Sequence, residues 1–430
     1  MSRLLRALQR MRVLFLAIGL LLRAPAASAA PPDVPRAASA AAEGIDPKAL
    51  QQLLQGAEAS KSSAVVILKN GKLVGEWSFG HAPVRIEAMS VTKSVVGLAV
   101  LKLLADGKIA SLDVPLHTYF PEWNQGRKKD ITLRHLLTHT SGLQSDARAE
   151  EIYRSPDFVK LALAAELTEP PGTAFRYNNK AVNLLAAVVQ KASGKRLDRY
   201  LADALFRPMG ITDFGWTLDD AGNPHVMAGV QLRPRDLAKL GQLMLDGGVW
   251  QGCRLLPAEW VKQATTPGEG VFSPGGLLWW SEYAWMRFTV DDALLDAWKK
   301  AGVPDALLQD MAPLKGRTFT DEQAYLDALG SRLPALKKEV HGRHLRLATV
   351  EKGPRVGFNA NGYLGQYLLV VPEHRLVAVR MFTPLDETGP QPDESVSFND
   401  FIPRALALVD VSQTPVLGEA IKARGAATPR

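Results

Sequence analysis

Two β-rich pairs of apolar runs lie near the two ends of this chain, and the stretch between them has a helical texture. Ala64-Val65-Val66-Ile67-Leu68 and Leu73-Val74-Gly75-Glu76-Trp77 flank Asn70-Gly71. Both turn residues tolerate positive φ, so this spacing predicts a β-hairpin. Tyr367 to Pro372 and Leu376 to Phe382 flank Glu373-His374-Arg375 and predict a second hairpin. A hairpin cannot bury its apolar face alone; it needs other strands or covering helices. The pattern therefore predicts an α/β fold: a mainly antiparallel sheet built from both ends of the chain, flanked by helices, with a helical subdomain inserted.

The intervening segments fit that plan. A helix is expected from about Pro47 to Ala59. Ser94 to Leu104 is apolar on nearly every face, which predicts a buried helix ending near Gly107. Residues 132–137, 156–165, 180–193 and 235–247 are also helical in pattern, giving a helical subdomain over about 89–250. A last helix is expected from Phe398 to Leu408. Residues 286–350 read as an insertion with three helix-like stretches, Asp291–Ala301, Pro304–Met311 and Thr320–Lys338. Such an insertion is either a lid over a cleft or a surface decoration.

The first thirty residues read as an address. Five arginines (Arg3, Arg6, Arg10, Arg12, Arg23) and no acidic residue lie in residues 1–29, with an apolar run from Val13 to Leu22 and then Ala27-Ser28-Ala29. Basic start, short apolar run and small residues at A-x-A spacing predict a secretory signal peptide over 1–29. The apolar run is about half of what a spanning helix needs, so no stable membrane span is expected once the signal is removed. Residues 30–45, rich in alanine and proline and without periodicity, read as a flexible linker. The location predicted is the bacterial periplasm or the medium. Those five arginines account for most of the net charge of +7. The body of the chain is nearly neutral and no nucleic-acid partner is expected. A single cysteine, Cys253, excludes an intramolecular disulfide and any multi-cysteine zinc site.

Three short elements carry chemistry. Ser90-Val91-Thr92-Lys93 has the form S-x-x-K at a predicted helix start, and residues three apart share a helix face. A serine hydroxyl becomes a useful nucleophile when a base takes its proton. A lysine serves as that base if burial keeps it neutral. The residues by themselves also allow Ser90 as an N-cap with a solvated Lys93. Tyr177-Asn178-Asn179 is the second element: Tyr177 is a candidate proton relay, and Asn179 a candidate to hold Lys93 or a substrate carbonyl. The competing reading is a tyrosine packed under a turn with Asn179 capping a helix. The third is Ala360-Asn361-Gly362-Tyr363-Leu364-Gly365-Gln366, where glycines allow close approach of backbone to a ligand. A backbone N–H here, with that of Ser90, is a candidate oxyanion hole; the competing reading is a bulged turn.

Taken together, Met89–Ser94, the Ile131-Thr132-Leu133-Arg134-His135-Leu136-Leu137-Thr138-His139-Thr140-Ser141-Gly142-Leu143 run, Phe175–Asn179, Arg235–Gly241 and Gly362–Gln366 carry a resemblance. Over about residues 45–410 the chain resembles the serine β-lactamase and penicillin-binding-protein-like hydrolases. It is most similar to the class C β-lactamase and esterase branch and its 6-aminohexanoate-dimer-hydrolase-like members. The resemblance implies a β-lactamase/transpeptidase-like fold in one hydrolase domain, residues 46–425. It implies Ser90 as the acyl-forming nucleophile, Lys93 as its base partner and Tyr177 as the proton-relay phenol. Asn179 matches a position often Asn or Ser, and the backbone N–H groups of Ser90 and Tyr363 would be the oxyanion donors. The sequence departs from the family where Ala360-Asn361-Gly362 aligns with a motif that usually begins with Lys or His. The cation that helps hold a substrate carboxylate is missing; Asn361 still offers a hydrogen-bond donor, and Arg355 is a candidate to reach the cleft from elsewhere.

The expectation is an exported serine hydrolase that cleaves small-molecule esters or amides through a Ser90 acyl-enzyme, without cofactor or metal. The alternatives are a β-lactamase or D-amino-acid-releasing peptidase, and a catalytically silent ligand-binding protein on the same scaffold. His135 and His139 stand four apart, but no glutamate follows His135 and no third ligand is evident, so they are not read as a metal site. The resemblance gives this run a structural role under the site.

Overall fold

The computed structural model describes residues 33–80, 84–145, 149–268, 274–320, 322–341, 343, 345–384 and 394–411. The predicted signal peptide, 1–29, lies outside them. The first hairpin is β1 (Ala64–Lys69) and β2 (Lys72–Ser78). Two strands follow the helical region, β3 (Trp280–Tyr283) and β4 (Arg355–Gly362). The second hairpin is β5 (Gln366–Val371) and β6 (Leu376–Met381). Together they make one six-stranded antiparallel sheet in the order β2-β1-β6-β5-β4-β3. The two hairpins join through β1 and β6, where Ala64 faces Met381 and Lys69 faces Leu376.

Every residue of β1 and of β6 is buried, because both faces of the sheet are covered. Side chains alternate across a strand. Val65, Ile67, Leu369, Val371 and Ala378 enter one core, shared with helices α1 (Pro47–Ala59) and α5 (Phe401–Leu406). Val66, Leu68, Leu368, Val370, Val377 and Val379 enter the other, shared with α2 (Val91–Ala105), α3 (Leu184–Ser193) and α4 (Pro234–Leu245). Asp46 caps α1 by accepting the Ala49 N–H at 2.7 Å, and Pro47 starts it. In α2 all residues but Lys102 and Ala105 are buried, which places its first turn deep beside the sheet.

The residues read as a linker are partly built into this fold. Val34 is buried in the α2 core, the Leu73 N–H donates to Pro35 O and the Ala37 N–H to Leu73 O, and Glu43 accepts from Lys72 and Asn70. Main-chain pairing along β2 orders the segment from 33 to 45, and that pairing leaves no periodicity in the sequence. Residues 286–350 hold the expected helices and also a three-stranded sheet, Met286–Thr289 between Thr318–Phe319 and Thr349–Lys352. They have their own apolar core around Trp298, Met311 and Tyr325. Among the described residues no helix is long and apolar enough to cross a membrane.

One buried cation fastens the end of the sheet that matters below. Arg380 in β6 is fully buried and meets no carboxylate among the described residues. Its guanidinium donates to Ser62 Oγ and to the carbonyls of Ser60, Leu364, Gly365 and Val396. Burial pulls its pKa down to about 10. Gly365 has φ +76°, and a Cβ there would lie 1.9 Å from Ser397 O, so this turn tolerates only glycine. Replacing Arg380 by Met strands several buried carbonyls, and the expected loss is on the order of 3 kcal/mol or more. The check is the urea midpoint at unchanged m-value. A loss below about 1 kcal/mol would show that the freed carbonyls recover partners.

Candidate active site

Three side chains named from the sequence meet in one place. Ser90 precedes the first residue of α2, and Met89 before it has φ +46°, turning the chain sharply into the helix. Ser90 makes no side-chain capping bond to the helix. Its Oγ lies 2.9 Å from Lys93 Nζ and accepts from Tyr177 Oη at 3.0 Å. The N-cap reading of Ser90 is therefore overturned: the hydroxyl turns away from the helix backbone and toward the two polar groups.

Lys93 is 2% exposed, and among the described residues no carboxylate faces it. Its Nζ donates to the Met227 carbonyl at 2.6 Å and lies 4.9 Å from the centre of the Tyr177 ring. Burial without a counter-charge holds its pKa well below the usual lysine value. The Met227 carbonyl is itself aimed: the buried Asn183 side chain accepts the N–H groups of Val226 and Met227 at 2.9 and 3.0 Å. Burial pushes the Tyr177 phenol pKa up, opposed by its bond to Ser90. The pair is thus disposed toward a neutral amine beside a protonated phenol, with the Ser90 hydroxyl between them.

Tyr177 is held by His139. The His139 carbonyl accepts the Arg176 N–H at 2.8 Å, and its Nδ1 accepts the Asn178 N–H at 3.1 Å, so one residue brackets Tyr177 on both sides. The His139 ring also lies 4.6 Å from the Tyr177 ring and stacks on Trp280 of β3 at 6.2 Å. Ser145 Oγ donates to the Tyr177 carbonyl. His139 reaches this position through φ +55°. Its pKa falls to about 3, from burial first and the adjacent Lys93 second. Because Nδ1 accepts, the proton of the neutral ring sits on Nε2. The sequence contained this residue in the Ile131–Leu143 run, but nothing local marks it as the support of a tyrosine 38 positions later.

The other expected residues are placed differently. Asn178, not Asn179, caps the short helix that follows, accepting the Ala181 N–H at 2.8 Å. Asn179 does not hold Lys93, whose acceptor is Met227 O; the Asn179 Oδ1 is buried without a partner among the described residues. Gly362 ends β4 against the nucleophile: a Cβ there would lie 2.9 Å from both Ser90 N and Ala88 O, so any side chain would push the strand off the site. Tyr363 follows it, 61% exposed. Among the described residues the N–H groups of Ser90 and Tyr363 meet no carbonyl. Asn361 donates to Asn359 Oδ1 at 3.3 Å, and Arg355 does not reach the cleft. Arg355 stands at the far end of β4, roughly 23 Å from Gly362 at the strand rise, and donates to Thr265 O at 2.6 Å. Among the described residues no cluster of metal-ligating side chains occurs.

Comparison with known proteins bears on the family and the fold. The family model Beta-lactamase matches residues 50–395. Protein flp of Staphylococcus aureus (strain MRSA252) is 27% identical over 188 residues, 40% of this chain but only 38% of that protein's own length. Two solved structures share the fold. One is the octameric penicillin-binding protein homologue from Pyrococcus abyssi, with TM-score 0.52, 17% identity, and coverage of 89% of this chain and 82% of that one. The other is the penicillin binding protein from Bacillus halodurans, with TM-score 0.53, 18% identity, and coverage of 82% and 98%.

Two outcomes are expected from this geometry. His139→Phe keeps a ring but removes the acceptor for Asn178, and should slow modification of Ser90 by a fluorophosphonate about 10²-fold. His139→Asn, which keeps an acceptor, should recover part of that rate; equal rates for both variants would remove the bracketing role. For Lys93 the folded pKa lies below the unfolded value, so the unfolded chain binds more protons between the two and stability rises with pH there. The stability of wild type relative to Lys93→Met should therefore improve as pH rises toward the ordinary lysine pKa. Parallel pH curves for the two proteins would mean that Lys93 is charged in the fold.

Proposed function

The chain belongs to the Beta-lactamase family, and from that premise we propose that it is an exported serine hydrolase cleaving small-molecule esters or amides through an acyl-enzyme on Ser90. The observation that carries this reading is the Ser90 hydroxyl held between Lys93 Nζ at 2.9 Å and Tyr177 Oη at 3.0 Å, with Lys93 buried and facing no carboxylate among the described residues.

In the first half-reaction Ser90 Oγ bonds to the substrate acyl carbon and its proton passes to the neutral Lys93 amine. The negative charge on the acyl oxygen is taken by the N–H groups of Ser90 and Tyr363, which meet no competing carbonyl. As the tetrahedral adduct collapses, the bond to the leaving amine or alkoxide breaks. That group receives a proton through Tyr177, which is resupplied by the Lys93 ammonium. In the second half a water gives its proton to the same pair and attacks the ester carbonyl. The carboxylic acid departs and Ser90 Oγ regains its hydrogen. No cofactor enters this cycle.

Ala360 at the start of the third element, with Arg355 engaged at the other end of β4, counts against substrates anchored by a carboxylate. That disfavours a β-lactamase or a D-amino-acid-releasing peptidase. Ser90, Lys93 and Tyr177 in mutual contact count against a silent binding protein. Export through the segment 1–29 belongs to the same reading.

The test is intact mass after treatment with a fluorophosphonate, on wild type and Ser90→Ala together. One adduct on wild type and none on the variant is expected. An adduct that survives Ser90→Ala, or none on either protein, overturns the assignment. Against an ester and amide panel, a chromogenic cephalosporin should be the slower substrate.

A further inference from the structure

Asn183 is fully buried one residue ahead of α3, and the usual local reason for an asparagine there is absent. It sits in helical conformation between the short helix Asn179–Val182 and α3, and its side chain makes no capping bond to α3. Its Oδ1 instead accepts two N–H groups of a remote segment, Val226 at 2.9 Å and Met227 at 3.0 Å. Its Nδ2 is buried with no partner among the described residues.

Bond for bond, an aspartate would suit this position better. A carboxylate would accept the same two N–H groups in stronger, charge-assisted bonds. It would be favoured at the N-terminal end of α3, and it would leave no buried donor unpaired. The reason for the amide lies at the other end of the Met227 residue, where the carbonyl accepts from Lys93 Nζ at 2.6 Å. A fixed negative charge beside this residue would hold that amine as an ammonium. The surroundings of Lys93 put no such charge there. Ser90 Oγ and the Tyr177 ring lie against it, and the other titratable group in its field is His139, neutral through burial. On the Met227 segment His225 packs against Tyr153 and Phe158, and Glu87 accepts the Gly229 N–H at 3.0 Å. Lys180, one turn before Asn183, is paired with Glu151 at 2.7 Å. Among the described residues no carboxylate, Glu87 and Glu151 included, acts on Lys93.

We propose that Asn183 is a positioning residue for the acyl-transfer reaction, one that aims the Met227 carbonyl at Lys93 Nζ while withholding the negative charge that would keep the amine protonated. The proposal rests on the hydrolase reading for the word reaction; the effect on Lys93 does not.

The experiment compares the full chain as wild type, Asn183→Asp and Asn183→Ala, each alone and with Lys93→Met. The first readout is the urea midpoint against pH. A negative charge at position 183 raises the folded-state pKa of Lys93 toward its unfolded value. Asn183→Asp should therefore gain stability over wild type as pH falls from about 10 to about 7, and should gain none when Lys93 is replaced by Met. His225, whose pKa burial lowers, titrates below this window. The second readout is the rate of Ser90 modification by a fluorophosphonate against pH. Its rising limb should move up by about one pH unit in Asn183→Asp, a roughly tenfold slower reaction near pH 7. Asn183→Ala, which frees the Met227 carbonyl, should slow the reaction about tenfold at every pH without that shift. An Asn183→Asp protein that follows wild type in both profiles overturns the proposal, since a merely structural role is met by any side chain that keeps the two bonds. If Asn183→Asp does not fold, Asn183→Ala decides: modification at the wild-type rate overturns the proposal. A Lys93-dependent stability gain in Asn183→Asp, with no adduct on Ser90 in any of the proteins, keeps the charge effect and sinks the hydrolase reading instead.

Discussion

A lysine amine enclosed in protein, with no carboxylate beside it among the described residues, is the constraint around which this molecule is arranged. An isolated ammonium is costly to bury, so the group lowers its pKa and the neutral amine becomes accessible. That outcome needs apolar packing on all sides and an acceptor that carries no charge. Helix α2 supplies the first, since almost all of its residues are buried. The Met227 carbonyl supplies the second, set in place by Asn183. A carboxylate in place of that carbonyl would favour the ammonium and remove the base.

The sheet serves this arrangement by bringing distant segments to one edge. β1 and β6 join the two ends of the chain, and β4 then delivers Gly362 against the Ser90 backbone. Arg380 ties the turn after Tyr363 to the loop at Ser60 and to Val396. The position of the Tyr363 N–H thus depends on a cation one strand away from the cleft strand's own hairpin partner. Tyr177 is fixed separately, from the helical side, by His139. The nucleophile lies where these two supports meet.

Much of this was legible in local pattern. The helix expected from about Pro47 to Ala59 has the same bounds in the structure, where Asp46 caps it and Pro47 starts it. Asn70-Gly71 announced its hairpin for the reason that both residues accept positive φ, as they do here. The order along 33–45 was invisible, because it comes from main-chain pairing with Leu73 and one buried valine. The strands of the 286–350 insertion were invisible too: each is short, and their partners lie tens of residues away. At the site, Ser90, Lys93 and Tyr177 could be named from residue type and spacing. Asn179 does not hold Lys93, and Arg355 does not reach the cleft, since which partner a side chain reaches is set by the neighbours that fold around it.

The sequence by itself determined the local geometry: a serine and a lysine one helical turn apart, strands at both ends, and glycines where the backbone must pass close. Those properties reside in steric preferences of single residues and their immediate neighbours. Only the tertiary structure decided that Lys93 is enclosed, that its acceptor is the carbonyl of a residue 134 positions away, and that His139 brackets Tyr177. Desolvation and hydrogen-bond partnership belong to the surroundings of a group rather than to the group, and those surroundings exist only once remote segments have packed together.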